Sequence, residues 1–86
     1  MKVRIPTPLR SYTAGAANVM ADGSTVREVL ADLDRQYPGI RFRMVDEQDR
    51  VRQHMVVFLD EHRCRDLDAS VATVGELVIM QALSGG

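Results

Sequence analysis

Thr25-Val26-Arg27-Glu28-Val29-Leu30-Ala31-Asp32-Leu33-Asp34-Arg35-Gln36, followed by Tyr37-Pro38-Gly39, is the stretch that decides the fold. It opens with the form of a capping box. The Thr25 hydroxyl can accept from the backbone N–H of Glu28, and the Glu28 carboxylate can reach back to the N–H of Thr25. Val26, Val29, Leu30, Leu33 and Tyr37 then recur at helical spacing and form one apolar stripe. Arg27, Glu28, Asp32, Asp34 and Arg35 lie mostly off that stripe. Pro38-Gly39 ends the pattern, because proline cannot continue a helix and glycine suits the reversal after one. The spacing predicts a helix from Val26 to about Gln36. Such a helix must bury its single stripe against another layer.

The segments on either side supply that layer. Towards the N-terminus, Lys2 to Thr7 alternates in polarity, with Val3 and Ile5 pointing one way. Pro6 and Pro8 end that strand or leave its N–H side unpaired. Leu9 to Ala17 reads as a loop or wide turn, Asn18 to Met20 as a second short strand, and Asp22-Gly23 as a turn. Beyond the helix, Ile40 to Val45 suits a short helical turn that packs Ile40 and Met44. Asp46 to Gln53 is polar and loop-like. Met55 to Leu59 is an apolar run of strand length, Asp60 to His62 a tight turn, and Arg63 to Leu67 a short edge strand. Asp68 to Val74 connects, Gly75-Glu76 turns, and Leu77 to Leu83 is the last strand. The order β-β-α-β-β-β, with the first and last strands as the central pair, predicts an α+β, β-grasp (ubiquitin-like) fold. It implies a mixed sheet of four to five strands with one main helix on one face. Residues 1–83 make the domain, and 84–86, ending in Gly85-Gly86, make a tail that gains nothing from ordering.

Composition narrows the function. The chain has 86 residues, enough for one domain, with 45% hydrophobic and 27% charged residues, as in ordinary globular proteins. A net charge of −1 offers no global field for nucleic acid or an anionic membrane. No apolar run approaches the ~20 residues needed to span a bilayer, and the N-terminus has no signal-peptide pattern. The single cysteine, Cys64, excludes an internal disulfide and fits a reducing cytosol. A cytoplasmic location is therefore expected.

Certain segments resemble a known family. These are Ile5-Pro6-Thr7 with Leu9-Arg10, Gly23-Ser24-Thr25 opening the helix, Tyr37 with Gly39-Ile40 closing it, and Gly75 before a last strand that runs to Gly85-Gly86. Together they look like the ubiquitin-like sulfur carriers of the ThiS/MoaD type, with the first segment most similar to the cysteine-pathway carriers. The resemblance covers nearly the whole chain. Many members carry a proline shortly before the glycine pair, where this chain reads Gln81-Ala82-Leu83-Ser84; the subfamily therefore stays open.

The resemblance implies a cycle. A ubiquitin-activating-like adenylating enzyme uses ATP to adenylate the carboxylate of Gly86. A sulfur donor displaces AMP and leaves a thiocarboxylate, which delivers sulfide to an acceptor held by a partner. That partner is a cysteine-synthase-like enzyme or, in the molybdopterin alternative, the large subunit of molybdopterin synthase. Gly86 carries the sulfur and Gly85 supplies clearance, since a side chain on either would clash in a narrow channel. No cofactor is held permanently, no metal is bound, and the chain alone has no catalytic activity. Two other classes remain: a protein modifier joined to lysines through Gly86, and a plain interaction module.

A carrier must also be gripped. If Met55, Val57 and Leu59 face the helix, period two puts Val56 and Phe58 on the other face; likewise Val78 and Met80 oppose Leu77 and Ile79. Val56, Phe58, Val78 and Met80 are then an exposed apolar patch for a partner, unless Ile40–Val45 or a second copy covers some of them. Other candidates have simpler readings. Cys64 between Arg63 and Arg65 has a setting that favours reactivity, but an inert strand cysteine accounts for it. His54 and His62 have no matching ligands nearby. Asp60-Glu61 and Asp66/Asp68 lack the glycine-centred loop of a calcium site. Arg41, Arg43, Arg50 and Arg52 suit either an acidic partner or plain solvation.

Overall fold

The computed structural model describes residues 1–82. Five strands form one mixed sheet: β1 (Lys2–Arg4), β2 (Asn18–Met20), β3 (Met55–Leu59), β4 (His62–Cys64) and β5 (Glu76–Gln81), in the order β2-β1-β5-β3-β4. β5 occupies the middle. It runs parallel to β1, with Val3 opposite Leu77, and antiparallel to β3, with Val57 opposite Ile79. The first and last strands are therefore adjacent, as expected, with β3 as the third inner strand. The expected boundary after residue 83 lies outside the described residues.

The main helix α1 spans Val26–Gln36, and its stripe is buried as its spacing requires: Val29 and Leu33 are 0% exposed. It meets the sheet face carrying Val3, Ile5, Val57, Leu77 and Ile79. A second short helix, α2 (Ile40–Met44), buries Ile40 and Met44 in the same core. Each such side chain contributes about 1.5–3 kcal/mol when fully buried. The cap differs from the expected box in one respect. Glu28 N–H donates to Thr25 Oγ1 at 3.2 Å, but the Glu28 carboxylate accepts from Ser24 N–H at 2.8 Å rather than from Thr25. Thr25 instead bridges to Ser70, which ties the cap to a distant turn.

Several boundaries fall elsewhere than the sequence pattern places them. The first strand ends at Arg4, because Pro6 and Pro8 lead into a 3-10 helix over Thr7–Thr13 where a loop was expected. Proline at a helix start forfeits an N–H that has no partner anyway. The buried Thr13 hydroxyl anchors this segment, lying 2.8 Å from Ala16 O. The edge strand is His62–Cys64 rather than Arg63–Leu67, and the turn before it is only Asp60-Glu61. Asp60 has φ 54°, a left-handed conformation that Asp tolerates. Its carboxylate accepts from the N–H groups of Gly75 and Glu76 at 3.0–3.2 Å. These bonds place Glu76 at the start of β5, where a turn was expected.

Two carboxylates hold loops in place. Asp34, in the last part of α1, accepts from Gly39 and Arg41 N–H at 3.1 Å and so caps α2 from outside. Asp49 accepts from Arg27, and from Arg41 at 2.9 Å, which fastens the 46–53 loop to both helices; Arg27 also donates to Asp68 at 2.9 Å. The Arg27 hydrogen bond, reinforced by its charge and by Arg41, holds the Asp49 carboxyl below the usual range. The N–H of Asp22, then Arg35, does the same for Asp32.

Two predictions follow from this packing. A Cβ at Gly23 would sit 2.6 Å from Val29 N and 2.7 Å from Glu28 Cβ, so the first turn of α1 must shift to admit it. Gly23→Ala is expected to lower stability by about 1–3 kcal/mol, measured by urea denaturation; an unchanged midpoint would show that the loop yields freely. The second concerns acid. A carboxylate whose folded pKa is depressed contributes stability above its ordinary pKa and loses it as pH falls through the folded value, here below about pH 4. In Asp49→Asn, which keeps a side chain tolerant of φ 65°, the acid limb of the stability curve should be shallower than in wild type. Parallel curves from neutrality to pH 2 would remove that role.

Candidate functional site

β5 delivers the chain's end to a defined place. The last described backbone bond is Ala82 N–H to His54 O, 2.7 Å, just past the end of β5 and the start of β3. Gly86 is the fourth residue after Ala82, a reach of at most ~14 Å. Gly86, the expected sulfur-carrying position, and Gly85, the expected clearance position, lie outside the described residues.

Beside this exit runs a groove of about 620 Å³. Its walls are Arg4, Pro6, Pro8 and Arg10 on one side and Val78 and Met80 on the other; His54 also lines it. The groove exists because the chain leaves β1 through two prolines into the 3-10 segment instead of continuing beside β5. Arg10 is fixed at its edge by a bond from Nε to Ile5 O, 3.0 Å. Sequence reasoning noted Ile5-Pro6-Thr7 and Leu9-Arg10 as a resemblance but did not identify them as a wall. The two prolines one residue apart, Pro6 and Pro8, were the available signal.

The open sheet face carries the expected patch in a modified form. Val56 pairs directly with Met80, and Phe58 with Val78, so the structure brings all four together. Met80 is 49% exposed and Phe58 and Val78 are half-buried, but Val56 is only 9% exposed and is not part of the exposed surface. It is short, and the longer Phe58 and Met80 flank it along the strand and across it. Neither Ile40 nor Met44 covers this face; both are in the core on the other side. Register extends the patch into a row across the sheet: Asn18, Arg4, Val78, Phe58, Arg63. An apolar centre is thus bracketed by two arginines.

The remaining candidates find ordinary roles. Cys64 packs against the core from its edge, with Sγ 3.4 Å from Asp66 O. His54 and His62 are exposed. Asp60 caps the start of β5, Asp66 accepts from Asp68 N–H at 2.9 Å, and Asp68 takes Arg27. Arg41 pairs with Asp49 and Arg50 with Asp46. Arg52 donates to Phe42 O at 2.8 Å and stacks 4.6 Å above the Phe42 ring. Among the described residues, no three His, Cys, Asp or Glu are grouped to hold a metal, and no helix is long and apolar enough to cross a membrane.

Comparison with known proteins places this arrangement. The sulfur carrier protein CysO of Mycobacterium tuberculosis and that of Mycobacterium bovis are each 33% identical over 89 residues, covering 98% of this chain and 96% of theirs. The crystal structure of the Amycolatopsis orientalis BexX/CysO complex contains a chain that superposes with a TM-score of 0.89 at 33% identity, covering 99% of this chain and 98% of that one. SAMP1 of Haloferax volcanii matches at 0.75 and 25% identity, covering 100% of this chain and 98% of that one. The family model described as ThiS family matches residues 3–86. By fold, by extent and by sequence, this chain belongs to the ThiS family.

Proposed function

We propose that the chain is a ubiquitin-like sulfur carrier in which Gly86 bears the sulfur. The observation that carries the reading is the position of β5. The central strand ends at Gln81, and Ala82 just past it lies beside an open groove and an apolar face, four residues before Gly86. Full-length similarity to CysO sulfur carriers supports it. A carboxylate is a poor acyl donor until it has a leaving group. An activating enzyme supplies one: the Gly86 carboxylate attacks the α-phosphate of ATP, pyrophosphate departs, and an acyl-adenylate forms. Sulfide from a donor adds to the acyl carbon, AMP leaves, and the thiocarboxylate remains. Its sulfur is soft, exposed and tethered, so it reaches an acceptor enzyme without diffusing away.

The chain does no acid–base chemistry of its own, works in the cytosol, and holds no permanent cofactor; ATP is consumed by the partner. Cysteine or a related sulfur metabolite is the product. Phe58, Val78 and Met80 are the apolar contact with these enzymes, and that the CysO structure above is one of a complex fits a chain made to be gripped. The likeness to SAMP1 favours one second reading, transfer of Gly86 to lysines of other proteins.

Mass spectrometry of the chain incubated with its adenylating enzyme, ATP and a sulfur source separates the two. Exchange of one oxygen for sulfur at Gly86 is the expected product. Lysine adducts without that exchange would establish the modifier, and neither product would overturn both readings. Gly86→Ala is expected to fold normally, by its circular dichroism and denaturation midpoint, while adenylation falls at least tenfold; normal turnover would refute the need for a bare backbone. Met80→Glu should weaken partner binding without lowering stability, because Met80 is on the open face.

A further inference from the structure

The placement of the arginines concerns the root of the tail. Four are paired: Arg27 with Asp49 and Asp68, Arg35 with Asp32, Arg41 with Asp49, Arg50 with Asp46. Among the described residues Arg4, Arg10, Arg43, Arg52, Arg63 and Arg65 have no carboxylate partner. Arg63 lies on the edge strand β4, and Arg65 just past it donates to Val51 O; the other four line two hollows beside the point where the chain leaves β5. Arg4 and Arg10 line the groove on one side of Ala82. Arg43 and Arg52 line a second hollow of about 300 Å³ with Phe42. His54, whose carbonyl receives Ala82 N–H, lines both. Neither hollow has a described acidic residue in its wall, although the chain holds 12 acidic residues against 11 basic.

Two of the four cations are held still. Arg10 is bonded to Ile5 O and Arg52 to Phe42 O, with the Arg52 guanidinium stacked on a ring that is itself 57% exposed. A pre-set guanidinium loses less freedom when a carboxylate arrives than a free one does. The exposed Phe42 face beside it provides an apolar anchor outside the sheet patch.

We infer that Arg4, Arg10, Arg43 and Arg52 form a cationic collar around the tail root, which docks on an enzyme surface whose tail channel is ringed by carboxylates, with Phe42 as its apolar contact. This rests on the carrier reading and names the chemistry of its partner. The collar sets encounter rate and register, while the chemistry at Gly86 stays with the enzyme. It should therefore alter the apparent affinity for the carrier and its salt dependence, and leave the maximal rate alone.

The test uses ATP–pyrophosphate exchange by the source organism's own ubiquitin-activating-like adenylating enzyme, with the full chain as substrate. Arg4→Gln and Arg43→Gln are combined, since neither side chain bonds to backbone among the described residues; Arg35→Gln, at a paired arginine, is the control. KM for the double variant should rise about tenfold with kcat unchanged, and its dependence on ionic strength should be shallower than in wild type. The charge-reversed pair Arg4→Glu and Arg43→Glu should do worse again. A KM and salt dependence equal to those of Arg35→Gln would overturn the collar while leaving the carrier reading intact. Absence of exchange with the wild-type chain would overturn the carrier reading and the collar with it.

Discussion

The structure depends on β5 being hydrogen-bonded on both sides. It is the last strand in sequence and the middle one in space, parallel to β1 and antiparallel to β3. A strand added last can reach the centre only if the earlier strands leave a gap for it, and the crossover through α1 makes that gap. Burial of Leu77 and Ile79 against α1 fixes the register, since a one-residue slip would put Val78 and Met80 in the core and expose the pair now fully covered. The same register then decides where the chain emerges. Fixation up to Ala82 and the point at which the chain leaves the sheet are one fact.

That arrangement leaves the second sheet face without a layer. A chain of 86 residues buries only a modest fraction of its surface, and one helix covers one face. The uncovered face is not uniformly apolar, which would invite aggregation. Arg4 and Arg63 interrupt it at either side of Val78 and Phe58, and Lys2 is paired with Glu76 nearby. Single charges at the margins keep such a face soluble while leaving its centre available to a specific partner.

Much of this could be read in the sequence. The α1 stripe, the strand Met55–Leu59 and the turn of helix at Ile40–Met44 follow from periodicity, because their hydrophobic pattern is what packing acts on. The patch residues were also legible, as alternation alone assigns their faces. What escaped was set by which of several available partners each polar group finds once the chain folds. Nothing local shows that Asp60 will cap the start of β5; Asp34 reaches α2 only because the chain reverses at Gly39, and Glu28 finds Ser24 because the chain before α1 is drawn in at Gly23. The 3-10 segment was missed since its prolines signal only that a strand stops. Val56 was misjudged in exposure because alternation gives a direction, and neighbouring side-chain length decides what remains accessible. The tail residues that define the proposed chemistry are legible in sequence and lie outside the described structure.

The distribution of ion pairs carries the same logic into function. A net charge near zero excludes strong nonspecific attraction, yet it is an average over two unlike regions. On the helix side, Arg27, Arg41, Asp49 and Asp68 satisfy one another across long sequence separations, and their task is to fasten the 46–53 loop and the 66–69 turn to α1. At the exit of β5, four arginines line two hollows whose described walls hold no carboxylate. Placing carboxylates there would neutralise the surface a partner must meet. A fold that pairs charges where they hold loops and leaves Arg4, Arg10, Arg43 and Arg52 unpaired around the point where the chain departs is arranged for an encounter at that end.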